Sequence, residues 1–354
     1  MNTPVYAYVG SRTTRERNAR GEGISVYRVD PVSGSLSRVQ LLGGLVNPSF
    51  LTLSKKGDRL YAVHGDGTHA SSFTVDRNSG QLSLLNQMDF AGQNPVHLAL
   101  NADESSLLVS SHLTGEVLVI AVDDQGRIGT VTHRERLPGE PGPHRKEQPF
   151  SKPHFNPLDP SGRWVLVPDK GLDRLFVFSV HGGRLLPAAT PWLQVREGAG
   201  PRNLVFHPSK PWAYLLNELD STVLACRFNA DTGALEPIQW LSTLPDTYTG
   251  NSRAATIAVD ASGRTLYASN RGSDSIAVFN IDENTGRLSL AQVASTQGRT
   301  PRFFTLHPAG RWLYALNEDS DTIVTLVVDA GTGQLEAKGL VTACASPVCM
   351  VFSR

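Results

Sequence analysis

The alternation of apolar and polar positions divides the chain into short strands separated by turns. The clearest unit, Gly200–Glu218, reads as an apolar strand, a Pro-Ser turn and a second apolar strand ending in Asn217-Glu218. Two more strand candidates follow it, at Thr222–Phe228 and Leu235–Leu241. Short strands bounded by turn residues are typical of β-hairpins. Because no long amphipathic helix pattern appears anywhere, the pattern predicts an all-β chain.

This unit recurs along the whole sequence. Further copies of the strand pair begin at Pro48, Pro95, Pro153 and Pro301. A second phrase, a polar turn followed by Gly-x-Leu or Gly-x-Ile, occurs seven times at spacings of 46 to 57 residues, with its glycine at Gly34, Gly80, Gly126, Gly183, Gly233, Gly286 and Gly333. Glycine suits such turns because it takes positive φ without steric cost. Seven copies of about 40–50 residues predict a seven-bladed β-propeller with four antiparallel strands in each blade.

The two ends of the chain complement each other. The first strands, Val5–Val9 and Ile24–Val29, look like the second and third strands of a blade that lacks its first. The last segment, Val348–Phe352, looks like a first strand with no partner after it, and Pro347 follows Pro301 by 46 residues, the repeat period. We therefore expect the N- and C-termini to share the closing blade, which removes free sheet edges. One propeller domain is expected over residues 1–354.

Composition narrows the classes of partner. The chain of 354 residues is 40% hydrophobic and has a formal net charge of zero, so no basic field points to nucleic acid or to an anionic membrane. No secretory leader and no apolar run long enough to span a bilayer is recognisable. Three cysteines make no disulfide framework. We expect a cytoplasmic protein without nucleic-acid or membrane partners, either a monomer or a weak homo-oligomer.

The copies of the repeat differ most in their polar and charged residues at one end of each blade. The residue after each initial proline opens an innermost strand, and the residues after the second strand lie beside it in an antiparallel pair. In a propeller, both sets surround one mouth of the central channel. The first set is Ser49, Val96, His154, Arg202, Arg302 and Val348, and the second is His64, Ser111-His112, Asp169-Lys170, Asn217-Glu218, Asn270-Arg271 and Asn317-Glu318.

Charges in such a ring are costly to bury unless they pair or bind a ligand. Two interpretations follow: a salt-bridge network that links the blades, or a site for an anionic or polar ligand. The scattered histidines His64, His97 and His112 lack the spacing of metal ligands, so we expect neither a metal nor a cofactor. No Gly-x-Ser-x-Gly motif is present, which argues against a covalent serine mechanism.

Two connections are longer than the repeat requires. The Pro/Gly-rich stretch Leu137–Ser151 cannot be a strand, and a smaller excess lies at Pro245–Arg253. Long loops on a rigid scaffold are favoured places for function.

Several of these motifs are found together in one known family. They are Tyr8-Val9-Gly10-Ser11, the loop Gly142–Gln148, Lys152-Pro153-His154, Gly200-Pro201-Arg202, Asn217-Glu218 and Ala268–Gly272. In these the whole chain resembles the propeller-type lactonases, which include bacterial 6-phosphogluconolactonases and fungal carboxymuconate cyclases. The resemblance places that family's suspected active residues on His154, Arg202, Glu218 and Arg271. The chain departs from the family at Lys152 and Asn203, where a histidine is usual, and at Thr256, where a glutamate is common.

The resemblance implies hydrolysis of a sugar lactone, 6-phosphogluconolactone to 6-phosphogluconate in the pentose phosphate pathway. His154 or Glu218 would act as general base. Arg202 and Arg271 would hold the oxyanion, the phosphate, or one each. Further substrate-binding candidates are Arg302, Lys170 and Glu318.

Two alternatives stay open at this point. One is a lactone-forming cyclase or a lactonase for a non-phosphorylated acid. The other is a non-enzymatic binding scaffold, for which an apolar patch at the mouth would be expected instead of a charged ring.

Overall fold

The computed structural model describes residues 4–353, which form seven antiparallel sheets arranged as the blades of a β-propeller. The predicted fold is therefore confirmed, with strands almost throughout and two three-residue 3₁₀ helices, Arg15–Arg17 and Glu318–Ser320, in the described part of the chain. Residues 1–3 and 354 of the expected domain lie outside the described residues.

The strands follow chain order around the ring. The chain enters the closing blade, blade 7, with β1 (Tyr6–Ser11), β2 (Gly23–Val29) and β3 (Leu36–Gly43). Blade 1 holds β4 (Pro48–Leu53), β5 (Arg59–His64), β6 (His69–Val75) and β7 (Leu82–Asp89). Blade 2 holds β8 (Pro95–Leu100), β9 (Ser106–Ser111), β10 (Glu116–Val122) and β11 (Ile128–Arg136). Blade 3 holds β12 (Trp164–Asp169), β13 (Arg174–His181) and β14 (Arg184–Gln194).

The remaining blades have four strands each. Blade 4 holds β15 (Pro201–Phe206), β16 (Trp212–Asn217), β17 (Thr222–Phe228) and β18 (Leu235–Ser242). Blade 5 holds β19 (Arg253–Val259), β20 (Thr265–Arg271), β21 (Ser275–Ile281) and β22 (Leu288–Ser295). Blade 6 holds β23 (Pro301–Leu306), β24 (Trp312–Asn317), β25 (Thr322–Val328) and β26 (Leu335–Ala343), and β27 (Pro347–Phe352) returns to blade 7.

Blade 3 departs from the four-strand pattern. Its innermost segment pairs with β12 only through two isolated bridges, Pro153 with Asp169 and Leu158 with Val165. Pro153 and Pro157 lack the backbone N–H that a continuous ladder needs, which accounts for the interruption. The His154 N–H still donates to the Pro168 carbonyl at 3.0 Å, so the segment keeps its place beside β12.

The two ends of the chain meet in blade 7, as predicted. Strand β27 pairs antiparallel with β1, bringing Tyr8 opposite Val351 and Val9 opposite Met350. The ring is closed by backbone hydrogen bonds, with no free sheet edge between its first and last strands.

Apolar side chains hold the blades together. Among the described residues they form seven buried clusters, and each cluster fills the space between two adjacent sheets. The cluster between blades 6 and 7, for example, contains Tyr314, Leu316, Val9 and Met350. Burial of this apolar surface is the main favourable contribution to the stability of the ring.

The repeated glycine of the turn phrase lies at a contact between blades. Gly286 has a φ of 70°, and a Cβ there would lie 2.5 Å from the Trp212 ring of the preceding blade. Its carbonyl accepts a hydrogen bond from the Tyr214 hydroxyl at 3.1 Å, and the Gly34 carbonyl accepts one from Tyr314 at 2.8 Å. Each copy of the turn therefore has a glycine, because its backbone is left-handed and the neighbouring blade leaves no room for a side chain.

A bulge at the start of most of the innermost strands directs a side chain into the channel. In blade 4, Pro201 pairs with Asn217 and the register then shifts, so that Arg202 has no partner opposite it. The same shift follows the first residue of β4, β8 and β23. The cavity at the channel mouth is lined by the residue at this position from all seven blades, namely Ser49, Val96, His154, Arg202, Ala255, Arg302 and Val348.

Removing β27 should destabilise the whole ring. A chain ending at Ser346 loses the buried side chains of Val348, Cys349 and Met350 and leaves β1 as an open edge. Each buried apolar side chain contributes about 1.5–3 kcal/mol, so we expect Tm to fall by roughly ten degrees or more in thermal denaturation. Val341→Ala, at an exposed position of β26, is the control and should leave Tm nearly unchanged. An unaltered Tm for the shortened chain would contradict a cooperative closing blade.

Candidate active site at the channel mouth

A buried carboxylate, Glu218, forms the centre of the larger ion cluster at the mouth. It follows the end of β16, and its side chain is 4% exposed. Arg202 Nη1 lies 2.6 Å from Glu218 Oε2, while Arg271 Nη2 and Lys170 Nζ lie 3.2 and 3.3 Å from Oε1. Burial raises the pKa of Glu218, but the charges of Arg271, Arg202 and Lys170 outweigh it and hold that pKa well below the usual range. Glu218 is therefore an anion that fixes three cations in place.

The long loop between β11 and β12 adds a second carboxylate to this cluster. Glu147 lies 3.1 Å from Lys170 Nζ and 2.9 Å from Arg253 Nη1. The next residue, Gln148, is buried and donates to the Lys170 carbonyl and to Asp173 Oδ1 at 2.9 and 2.8 Å, which anchors the loop. Around Glu218 and Glu147 together, four cations face two carboxylates. The mouth is accordingly electropositive and suited to an anionic ligand.

His154 is a neutral imidazole in contact with Arg202. The Arg202 Nη1 group donates to His154 Nε2 at 2.5 Å. A guanidinium has no acceptor, so Nε2 carries the lone pair and the ring proton is on Nδ1. Burial, Arg202 and the neighbouring His112 lower the pKa of His154 well below its ordinary value. A neutral base and a cationic donor thus lie side by side.

Arg202 is held in position by three acceptors. Besides His154 and Glu218, its Nε donates to the Ala255 carbonyl of blade 5 at 2.8 Å. Burial lowers its pKa to about 9, despite the opposing charge of Glu218. The bulged backbone and these three contacts leave Arg202 little rotational freedom.

A second, smaller ion cluster lies on blades 6, 7 and 1. Arg12 Nε is 3.3 Å from Glu318 Oε1, and Arg12 Nη1 is 3.2 Å from Asp66 Oδ2. Arg302 Nη1 approaches Glu318 Oε2 only to 3.9 Å. Arg12 is 3% exposed, and burial followed by the charge of Arg302 lowers its pKa to about 9.

The structure brings all the predicted site residues to one mouth, but in two groups. His154, Arg202, Glu218 and Arg271 lie together with Lys170, whereas Arg302 and Glu318 belong to the second cluster. Lys170 and Arg302, predicted as similar substrate-binding candidates, therefore have different surroundings.

Four charged residues of these two clusters were not predicted as site residues: Arg12, Asp66, Glu147 and Arg253. Arg12 could have been found from the repeat, because Ser11 pairs with Pro347 as Asn217 pairs with Pro201, which makes Arg12 the counterpart of Glu218. Glu147 lies in a loop outside the repeat, so no spacing indicated which residue of that loop would turn inward.

Aromatic side chains lie next to the charged ring. The Phe50 ring lies 6.1 Å from that of Phe155 and 6.0 Å from that of Phe303, and His97 packs between Phe50 and Phe155 at 4.4 and 3.7 Å. The three phenylalanines also line the cavity at the mouth, which measures about 30 Å³.

The three departures from the family pattern lie around the same ring. Lys152 Nζ donates to the Glu147 carbonyl at 2.9 Å, and Thr256 Oγ1 donates to the Arg302 carbonyl at 3.1 Å. Asn203 lines the cavity, and its buried Oδ1 has no hydrogen-bond partner among the described residues.

No group of three or more His, Cys, Asp and Glu side chains within residues 4–353 is arranged to hold a metal ion. In the same part of the chain, no helix has the length and apolar character needed to cross a bilayer.

Comparison with known proteins gives a consistent match over nearly the full length. The family model described as "Lactonase, 7-bladed beta-propeller" matches residues 6–352. The 6-phosphogluconolactonase of Bacillus subtilis (strain 168) is 32% identical over 309 residues, which cover 86% of each chain. A 6-phosphogluconolactonase of Formosa agariphila is 31% identical, over 85% of this chain and 86% of its own. The solved structure of a periplasmic gluconolactonase from Pseudomonas aeruginosa superimposes with a TM-score of 0.92 at 27% identity, covering 99% of both chains.

Acidification below pH 6.5 should destabilise the fold. Burial lowers the pKa of His64 to about 4 and those of His97 and His112 to about 3. Histidines of the unfolded chain titrate near pH 6.5. On acidification the unfolded state therefore binds protons that the buried histidines of the folded state do not bind. Stability that is complete above about pH 6.5 is lost as the pH falls towards about 4. Asp169 and Asp220, whose pKa values burial raises to about 6, oppose this trend.

His97→Gln tests this pH dependence, because glutamine cannot take up a proton. We expect a smaller decrease of Tm between about pH 7.5 and pH 5 than in the parent protein. His181→Gln, at an exposed histidine, is the matched control and should keep the full decrease. An equal decrease in all three proteins would refute a contribution from buried His97.

Proposed function

The chain belongs to the lactonase family of seven-bladed β-propellers, and on that premise we propose that it hydrolyses 6-phosphogluconolactone to 6-phosphogluconate. Family membership makes the protein a lactone hydrolase, so the alternative of a non-enzymatic scaffold is set aside. The observation that supports an anionic, phosphorylated substrate is the electropositive mouth as a whole, where the cations of both ion clusters outnumber the carboxylates beside a neutral His154. Two relatives above 30% identity bear the name of this activity.

Arg202 and Arg271 are proposed to stabilise the tetrahedral intermediate. Attack of water on the lactone carbonyl carbon places a negative charge on the carbonyl oxygen. Guanidinium groups fixed by Glu218 and by backbone carbonyls meet this charge without reorganising, which is the condition for effective electrostatic catalysis. The Nε of Arg271 is buried without a partner among the described residues, so this side chain retains a donor for an incoming oxygen.

His154 is proposed as the general base. Its Nε2 lone pair accepts from Arg202 in the structure, and it becomes available when the substrate oxygens take over the Arg202 donors. The imidazole then removes a proton from the attacking water. As the ring C–O bond breaks, the imidazolium returns that proton to the leaving alkoxide, and the product is a hydroxy acid.

Glu218 is proposed to position the arginines instead of acting as base. Both of its oxygens are occupied by cations, whereas the acceptor nitrogen of His154 has a single donor, Arg202, which the substrate can displace.

A second candidate substrate is the non-phosphorylated gluconolactone. It is favoured by the Pseudomonas aeruginosa relative, which is named a gluconolactonase. With 6-phosphogluconolactone as the substrate, we also propose that the protein is cytoplasmic and acts in the pentose phosphate pathway. Assaying the purified protein on both lactones, each freshly generated and corrected for spontaneous hydrolysis, tests the two substrates directly.

Arg202→Ala and His154→Ala should each lower kcat on the preferred lactone at least tenfold. Loss of one oxyanion donor typically costs about 10²–10³ in turnover. Tm should fall by only a few degrees for Arg202→Ala, because Glu218 keeps Lys170 and Arg271 as partners. Arg163→Ala, at an exposed arginine in the turn at the other end of blade 3, is the control and should keep full activity. Full activity in both site variants would show that the reaction occurs elsewhere. Unfolding of both variants would show that these side chains serve the stability of the fold instead of catalysis.

Activity should also survive treatment with EDTA. The proposed base is an imidazole and the proposed electrophiles are guanidinium groups, so no step depends on a metal ion. The initial rate before and after chelation is the measurement. Loss of activity that a divalent cation restores would refute this mechanism.

A further inference from the structure

We propose that Arg12 and Arg302 form a separate anion subsite that binds the phosphoryl group of the substrate, while the lactone ring reacts at Arg202 and His154. This inference rests on the proposed function for the identity of the substrate. It assigns to Arg12 a role in specificity, and it divides the mouth into a reacting half on blades 3–5 and an anion-binding half on blades 6 and 7.

Arg302 is the least engaged cation at the mouth. Its nearest carboxylate oxygen is 3.9 Å away, and its guanidinium forms no hydrogen bond within residues 4–353. The side chain is 22% exposed and lines the cavity. A planar fork of unoccupied donors matches the geometry of a phosphoryl group.

Arg12 and Arg302 are like charges that repel each other, and a bound dianion would reduce this repulsion. Its guanidinium is buried, and Arg302 is the charge that most strongly lowers its pKa. Glu318 lies between the two arginines, 3.3 Å from one and 3.9 Å from the other. The Nη2 of Arg12 has no hydrogen-bond partner among the described residues, so both arginines retain donors for a ligand.

The cations of the larger cluster are less available for this purpose. Lys170 lies between Glu147 and Glu218, at 3.1 and 3.3 Å, and Arg253 lies 2.9 Å from Glu147. Arg202 already has three acceptors. A phosphoryl group bound there would compete with short ion pairs, whereas at Arg302 it would take up free donors.

The two halves are close enough for one substrate to reach both. Arg12 and Arg302 line the same cavity as Arg202 and His154. A lactone carbonyl held at Arg202 therefore leaves the remainder of a sugar phosphate directed across the mouth, towards blades 6 and 7.

The test compares 6-phosphogluconolactone with glucono-1,5-lactone, which differ only in the phosphoryl group. We expect Arg302→Met and Arg12→Lys to lower the ratio of kcat/KM for the phosphorylated over the unphosphorylated lactone at least tenfold. Arg12→Lys keeps a charge between Glu318 and Asp66, so it preserves the fold while losing the planar fork. Arg17→Met is the matched control: Arg17 also bonds Asp66, at 2.7 Å, but is 42% exposed and does not line the cavity, so the ratio should stay as in the parent. An unchanged ratio in both Arg12→Lys and Arg302→Met would overturn the subsite.

A binding experiment separates this inference from the proposed function. By titration calorimetry, the parent protein should bind 6-phosphogluconate at least tenfold more tightly than gluconate, and Arg302→Met and Arg12→Lys should abolish the difference. If the parent hydrolyses neither lactone but shows this preference, the proposed function fails and the subsite stands. Equal binding of the two acids by the parent, or a preference that persists in both variants, would refute the subsite whatever the activity.

Discussion

The geometry of the site depends on one backbone irregularity, the bulge after the first residue of most innermost strands. In a regular antiparallel ladder the side chain at this position would face a partner across the strand pair. The bulge removes that partner and directs the side chain into the channel. Because the bulge repeats around a closed ring, residues about 50 positions apart in sequence meet within a few ångströms. Arg202, at the bulge of blade 4, is in direct contact with His154, which follows Pro153 in the interrupted segment of blade 3.

Charged groups are stable in this ring because each carboxylate is shared. A single buried ion pair repays its desolvation poorly, but Glu218 is shared by Arg202, Arg271 and Lys170, each within 3.3 Å. The cations remain in excess, which suits the mouth to an anionic ligand. Of the two interpretations that the sequence left open, the salt-bridge network is present, and under the proposed function the same side chains also bind the substrate.

Most of this architecture could be predicted from the sequence because the same packing contact between neighbouring blades occurs seven times. Each turn glycine accommodates the adjacent blade, as Gly286 does with Trp212, so the period could be counted without knowing the fold. The mouth positions followed from strand pairing alone. Glu147 could not be found in this way, since its loop has no counterpart in the other blades and is held by Gln148 through tertiary contacts. The ion pairs that separate Lys170 from Arg302 are likewise set by side-chain geometry and leave no trace in the spacing. The interruption of the innermost segment of blade 3 could have been anticipated from Pro153 and Pro157 but was not.

The aromatic rings of Phe50, Phe155 and Phe303 border the cavity at the mouth, next to its charged side chains. Hydrolysis of a lactone adds a carboxylate, and the product therefore carries one more negative charge than the substrate into an electropositive mouth. By charge alone we expect the mouth to hold the product more firmly than the substrate, so release of the product should become faster as the ionic strength rises.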